Sequence, residues 1–306
     1  MRNSFINRLT EIAKVDKKIF LICGDLGYSV LEPFAERFPD RFLNVGIAEQ
    51  NMMHVATGLA FEGYNVFTYS IGNFPTLRCM EQIRYDICYH NANVKIVAVG
   101  SGYAYGPLGV SHHTTEDIAM LRAIPGMIVT APGDPVEAMA LADWFSQHTG
   151  PGYIRLNKTG EPRIHPAPIE LAPGSLLKIR EGSERAVLSC GSIMSQALSE
   201  IEANSLPWAL YSAPFISPLK QDSLKEIAER YESLITIEEH QLSGGFGSAV
   251  IEILSDLYEK GILSRMPHVR RIGIRNRFIG TAGTQEFLRR EAKISLLENA
   301  ADQLGG

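Results

Sequence analysis

The sequence predicts an α/β protein of two domains, each a mostly parallel sheet flanked by helices. Three observations carry this. Short β-rich runs alternate with longer helical patterns, the signature of parallel strands joined by helical crossovers. A stretch rich in Pro and Gly and without a clean period, KTGEPRIHPAPIELAPG from Lys158 to Gly174, interrupts the alternation, which then resumes. The length of 306 residues accommodates two such units, since domains run to about 150 residues.

Taken in order, MRNSFINRLTEIAKVDKK reads as an amphipathic, charged helix and KIFLICG as a strand. A helix around Pro33 to Arg37, the strand FLNVG, a helix from Glu49 to Glu62, the strand YNVFTYS, a helix from Thr76 to Tyr89 and the strand VKIVAVG follow. GMIVTAP is the next strand; PGDP is a helix-start signal for Asp134 to His148, and GYIRLN closes the series. Beyond the interruption come RAVLSCG, WALYSAP, LITIEEH, a helix after SGGFGS, and RIGI. The expected boundaries are a first domain over 1–160, a linker over 161–175 and a second domain over 176–306. No internal repeat or low-complexity tract is visible.

Composition excludes several classes of function. Hydrophobic residues make up 45% and charged residues 21%, with a formal net charge of −5, which is ordinary for a soluble globular protein. A mildly acidic surface argues against nucleic-acid binding. The cysteines Cys23, Cys79, Cys88 and Cys190 show no C-x-x-C pairing and lie partly in apolar runs, so neither disulfides nor a zinc site is expected. No apolar run reaches the 18 or so residues of a membrane span, and the N-terminal pattern lacks a signal-peptide core. The expected location is the cytoplasm.

Four stretches bear chemistry. NVGIAEQNMMHVATGLAFEGYNVF sets Glu49 in apolar surroundings, where an unpaired charge is costly; it also reads as a first-turn carboxylate stabilised by a helix dipole. In GVSHHTTEDIAMLR, His112 and His113 are adjacent, so at most one faces a given site, and capping or hydration is an alternative reading. GSGYAYG departs from dinucleotide-binding spacing. HQLSGGFGSAV places glycines at a helix start, where free N–H groups favour an anion and a tight turn is the plainer reading.

Several blocks occurring together and in order, NVGIAEQNM, YNVFTYS, MEQIRYD, GPLGVSHH, IPGMIVTAPGDPVEA, ITIEEHQLSGGFGSAV and GTQEFL, resemble the pyrimidine-binding and C-terminal domains of transketolase and deoxyxylulose-phosphate synthase. The resemblance runs from about Arg2 to Leu288. It implies a thiamine-diphosphate-binding fold followed by a transketolase C-terminal-like domain. It also implies a catalytic Glu49 beside the aminopyrimidine, sharing a proton with N1′ so that the 4′-imino nitrogen can take the thiazolium C2 proton. Phe74 in NFPTLR, with Tyr69 as the fallback, corresponds to the aromatic residue stacked on the pyrimidine, and Arg78 to an arginine near cofactor or substrate. His112 matches the histidine that faces the substrate carbonyl, with His113 beside it; Asp25 and Ser29 in GDLGYS, Arg2 and Lys158 match the substrate end, where Arg2, Ser29 and Lys158 would hold an acceptor phosphate.

Two departures qualify the resemblance. Leu108 stands where transketolases read a donor hydroxyl with an acidic residue, and Gly100 stands where they carry a histidine, which implies a roomier, less polar pocket. No G-D-G run is present, so the Mg²⁺ that anchors the diphosphate is expected on an N-terminal transketolase-like partner subunit, with thiamine diphosphate shared between the two and no metal held by this chain. The implied protein is the C-terminal half of a split enzyme, assembled as α2β2 and inactive alone. It would transfer a two-carbon ketol or acyl unit from a small sugar-phosphate or keto-acid substrate to an aldehyde or aldose phosphate. The alternatives are the beta subunit of a keto-acid dehydrogenase or decarboxylase, and a non-catalytic subunit retaining the fold.

Overall fold

In the computed structural model, which describes residues 1–297, β1 (Ile19–Cys23) is buried along its whole length. Such a strand needs helices on both faces. On one side α1 (Arg2–Val15) buries Phe5, Ile6, Leu9 and Ala13 and packs against α6 (Pro135–Gln147). On the other, α3 (Glu49–Phe61) buries Met52, Met53 and Ala56. The short α2 (Glu32–Arg37) leads into β2 (Phe42–Asn44), which lies beside β1.

The first sheet has seven strands in the order β10-β5-β6-β4-β3-β1-β2. It comprises β3 (Asn65–Ile71), β4 (Val94–Val99), β5 (Ile128–Thr130) and β6 (Gly152–Leu156), all parallel, with Ile19 opposite Asn65 and Val66 opposite Val94. Its seventh member, β10 (Phe215–Ser217), arrives from the second half of the chain and pairs antiparallel with β5, Phe215 facing Thr130. The sequence pattern shows no sign of β10, because three residues are too few to display a period.

The second sheet, in the order β12-β11-β8-β9-β7, comprises β7 (Leu177–Arg180), β8 (Arg185–Ser189), β9 (Trp208–Ser212), β11 (Ser233–Gln241) and β12 (His268–Ile274). It is parallel apart from β7. Helix α7 (Ile193–Ala203) packs on one face, and α8 (Gln221–Arg230) and α9 (Phe246–Glu259) on the other. The apolar core runs without a break between the two units, with Ile22, Met52 and Ile96 in the same cluster as Leu188, Tyr211 and Phe246. That continuity fixes how the units meet.

The segment expected as a helix from Thr76 to Tyr89 is a spiral of changing pitch. A 3₁₀ turn at Leu77–Cys79 passes into the single turn α4 (Met80–Gln82) and then a π-helix over Ile83–Tyr89, with Ile83, Ile87 and Cys88 inward. Asp134 caps α6 as PGDP foretold, accepting from Val136 and Glu137 N–H at 2.9 and 2.8 Å. Its other oxygen accepts from Ile164 and His165 N–H and so ties the connecting segment down. Glu137 meets His165 Nε2 at 2.9 Å and holds that imidazole above its usual pKa. Asp134, Glu137 and His165 are near enough to share an ion, but their oxygens and ring nitrogen already serve this internal tie. All four cysteines are free and buried, and among the described residues no helix is long and apolar enough to cross a membrane.

At the SGGFGS helix start the chain supplies its own acceptor. The buried Glu238 carboxylate accepts from Phe246 and Gly247 N–H at 2.7 and 2.8 Å. Burial nevertheless pushes its pKa up to about 7, against the pull of those two donors. An unfolded glutamate titrates near 4.3, so between those values the folded chain holds a proton the unfolded chain has lost. This group's stabilisation is complete below about pH 4 and is lost as pH rises through about 7. Glu238→Gln should therefore raise Tm relative to wild type more at about pH 8 than at about pH 5 by calorimetry. A pH-independent difference would show that the carboxyl is not neutral in the fold.

Candidate functional site

The parallel strands of the first sheet end on one edge, and the chain reverses there, stepping from β1 outward to β2 and then back across to β3. A crevice at the carboxyl ends of strands beside such a reversal is where ligands bind in open α/β sheets. Gly24 and Asp25 follow β1, Glu49 follows β2, Phe74 follows β3, the loop carrying His112 follows β4, and Lys158 follows β6.

Glu49 is the first residue of α3 and is 4% exposed. Its Oε2 faces Arg78 Nη1 at 3.3 Å, and among the described residues Oε1 receives no hydrogen bond. That oxygen lies beside bare backbone: a Cβ built on Gly24 would stand 3.9 Å from it. Gln50 donates to the Arg78 carbonyl at 2.9 Å and ties the arginine's turn to α3. The Arg78 guanidinium lies over the Phe74 ring at 4.2 Å, and that ring meets His112 edge-on at 5.2 Å. Glu49, Arg78, Phe74 and His112 therefore form one continuous wall. His112 accepts from or donates to Ser111 Oγ through Nδ1 at 3.0 Å, and burial, with help from Arg78, lowers its pKa, so the ring is neutral at pH 7.

The other nominated residues divide. Tyr69 is not on this wall: it sits with Phe67 on the face of the sheet covered by α1 and α6, opposite α3. Strand alternation explains this, since neighbours in a strand point to opposite faces. Its hydroxyl lies beside the Arg2 guanidinium and near Tyr105, and burial raises its pKa. Lys158 Nζ stands over the Tyr105 ring at 5.3 Å, so Arg2, Tyr69, Tyr105 and Lys158 make a second, cationic group. Asp25 and Ser29 are exposed, both with left-handed backbone. Asp25 is engaged by Asn44 Nδ2 at 3.1 Å, and Ser29 N–H donates to Glu32. His113 turns away from His112, is buried, and packs edge-on against Tyr103 at 4.9 Å, so it is a core residue of the loop and not part of the wall.

The expectation of a roomier pocket at Gly100 is also corrected. Gly100 has φ +98°, and a Cβ there would lie 2.2 Å from the Tyr105 ring. The tyrosine fills the space a side chain at position 100 would take, which no motif spacing could reveal. Leu108, on a 3₁₀ turn, is exposed. Sequence reading missed Glu239, which reaches from β11 to the His112 loop; the available signal was EEH inside an otherwise apolar strand, where charges must find partners.

Comparison with known proteins agrees with this layout. Residues 1–161 match the transketolase pyrimidine-binding domain and residues 174–294 the transketolase C-terminal domain. The chain is 34% identical to a subunit of the apulose-4-phosphate transketolase of Actinobacillus succinogenes over 84% of each chain. It is 32% identical to 1-deoxy-D-xylulose-5-phosphate synthase 1 of Geobacter sulfurreducens, covering 97% of this chain and 46% of that longer one. A solved structure described as a split gene transketolase, inactive beta4 tetramer, superposes with a TM-score of 0.84 at 32% identity, covering 96% of this chain and 93% of that one. With these matches across both halves, the chain belongs to the transketolase family.

Proposed function

We propose that this chain is the C-terminal subunit of a split, thiamine-diphosphate-dependent transketolase-like enzyme that passes a two-carbon ketol or acyl unit to an aldehyde or aldose phosphate. The observation that carries the reading is Glu49: a buried carboxylate at the sheet's reversal, one oxygen held by Arg78 and the other, beside Gly24, without a donor among the described residues. A carboxylate with a free acceptor in a dry niche fits a ring nitrogen carrying a proton. Bound there, thiamine diphosphate would supply the carbanion chemistry.

This chain's residues would do the rest. Glu49 holds the proton at the pyrimidine N1′, and Phe74, on the wall with it, takes the stacking position in preference to Tyr69. Neutral His112 has Nδ1 engaged by Ser111, leaving its other nitrogen to meet a substrate oxygen. Arg2, beside the Tyr69 hydroxyl, and Lys158, over the Tyr105 ring, offer cations to the phosphate of a sugar phosphate. Asp25 and Ser29, exposed on the loop after β1, would meet the substrate from that loop.

The Mg²⁺ and diphosphate would be held by an N-terminal partner subunit in an α2β2 assembly. Support comes from exposed apolar residues flanking the wall, Ile47 at 79%, Leu77, Leu108 and Val110, which suit a covering partner. The related split-gene protein described as an inactive beta4 tetramer supports dependence on that partner. Four buried free thiols suit a reducing compartment, and the proposed location is the cytoplasm.

The isolated chain should bind thiamine diphosphate with Mg²⁺ only weakly, with Kd well above about 1 μM by calorimetry, because the metal that anchors the diphosphate belongs to the partner. Sub-micromolar binding would overturn the partner requirement. In the assembled enzyme, Glu49→Gln should leave folding intact and slow deuterium exchange at the cofactor C2 by roughly a hundredfold or more. An unchanged exchange rate would make Glu49 a structural residue.

A further inference from the structure

The loop that carries His112 is closed at its neck. Gly102 and Thr114 exchange backbone hydrogen bonds of 2.9 Å in both directions, pinching off the residues between them. What holds this loop from behind comes from the second half of the chain. Glu239, on β11 with its side chain 4% exposed, accepts from Tyr103 N–H at 2.5 Å. Its carboxylate is itself held by Arg289 Nε at 2.5 Å and by Gln285 Nε2 at 3.0 and 3.1 Å, both from α10 (Gln285–Glu291). Arg289 is braced in turn by Ser192 Oγ at 3.2 Å.

The fit leaves little slack. A Cβ on Gly102 would come within 2.4 Å of the Glu239 Oε1 atom, and one on Gly106 within 2.5 Å of the Gly283 carbonyl. Gly283 N–H also donates to the Gly106 carbonyl at 3.3 Å. The loop therefore meets the second unit at Tyr103 and again at Gly106, while the His112 side faces Phe74.

We infer that Glu239 is a positioning residue for the transfer reaction: by fixing the Tyr103 amide from the second domain, it sets the loop that places His112 against the Glu49 wall. This rests on the proposed function for its catalytic consequence. An ordinary ion pair within the second unit would make a different demand, since only the Glu239–Arg289 charge pairing would then matter. Misplacing a substrate-facing group by an ångström or so can slow a reaction about a hundredfold, so the two roles are separable.

The experiment compares Glu239→Gln, which keeps a carbonyl oxygen for the Tyr103 amide but gives up the charge, with Glu239→Ala, which gives up both. In the purified chain, hydrogen–deuterium exchange over residues 100–116 should quicken roughly tenfold or more in Glu239→Ala, with α3 unchanged, and stay near wild type in Glu239→Gln. In the assembled enzyme, Glu239→Ala should lower kcat roughly ten- to hundredfold with KM little altered, and Glu239→Gln should stay within about threefold of wild type. Equal losses in the two variants, or loop protection unchanged in Glu239→Ala, overturn the inference. If Glu239→Ala does not fold, Glu239→Asp, which keeps the charge but draws the carboxylate back from the Tyr103 amide by one methylene, takes its place, and the same outcomes apply. Exchange in the lone chain needs neither cofactor nor partner, so a wild-type assembly without transfer activity would refute the proposed function and leave the clamp to be judged by exchange alone.

Discussion

One guanidinium with almost no access to water holds the junction together. Arg155, on β6, is 2% exposed; its Nε donates to Asp117 at 2.7 Å, and its Nη2 to the carbonyls of Thr114 and Glu239 at 2.6 and 3.1 Å. A buried charge survives only when paired and fully bonded. Here the bonding partners are the neck of the His112 loop, the start of α5 (Asp117–Arg122) and the strand of the other unit. The planar fork of donors suits this better than a lysine could, because several acceptors must be met in one plane. Tyr153 adds its hydroxyl to Asp117 at 2.6 Å, and burial beside that carboxylate raises the phenol's pKa.

Around this centre the molecule sorts polar groups by what they face. Glu238, Glu239 and His240 are consecutive and all buried, yet each has its own surroundings: helix N–H groups for the first, a loop amide with Arg289 for the second, and the Ala119 amide at 3.4 Å for the third. Burial lowers the pKa of His240, with Asp117 opposing, so the junction carries a neutral imidazole beside its ion pair at pH 7. Glu49, by contrast, keeps one oxygen uncommitted. Glu238 and Glu239 engage both of their oxygens with donors, and Glu49 engages one.

Much of this was legible in the sequence. Alternating runs announced the strands because fully covered parallel strands are largely apolar, as IFLIC is throughout and VKIVAV is but for Lys95. The helix expected from Glu49 ends at Phe61, one residue short of the reading, and Glu49 itself stood out as a charge among apolar neighbours. The second class of feature was illegible because it depends on contacts distant in sequence. Nothing local separates Phe74 from Tyr69; the face of β3 does. The adjacency of His112 and His113 said that they would part, but not which would go inward. The filling of Gly100's space by Tyr105 needs a reversal of five residues in which Ser101, Gly102 and Tyr103 take particular backbone shapes.

The strand β10 has a consequence for how the protein is made. A ribosome delivers β5 long before Phe215–Ser217, so the sheet edge at β5 stays uncovered while roughly another eighty residues are translated, some seconds of synthesis at typical rates. An unpaired edge is a template for other chains. The first unit therefore cannot finish folding as it emerges; it must wait for the second to arrive and close it, which makes the two halves partners in biogenesis as well as in the finished molecule.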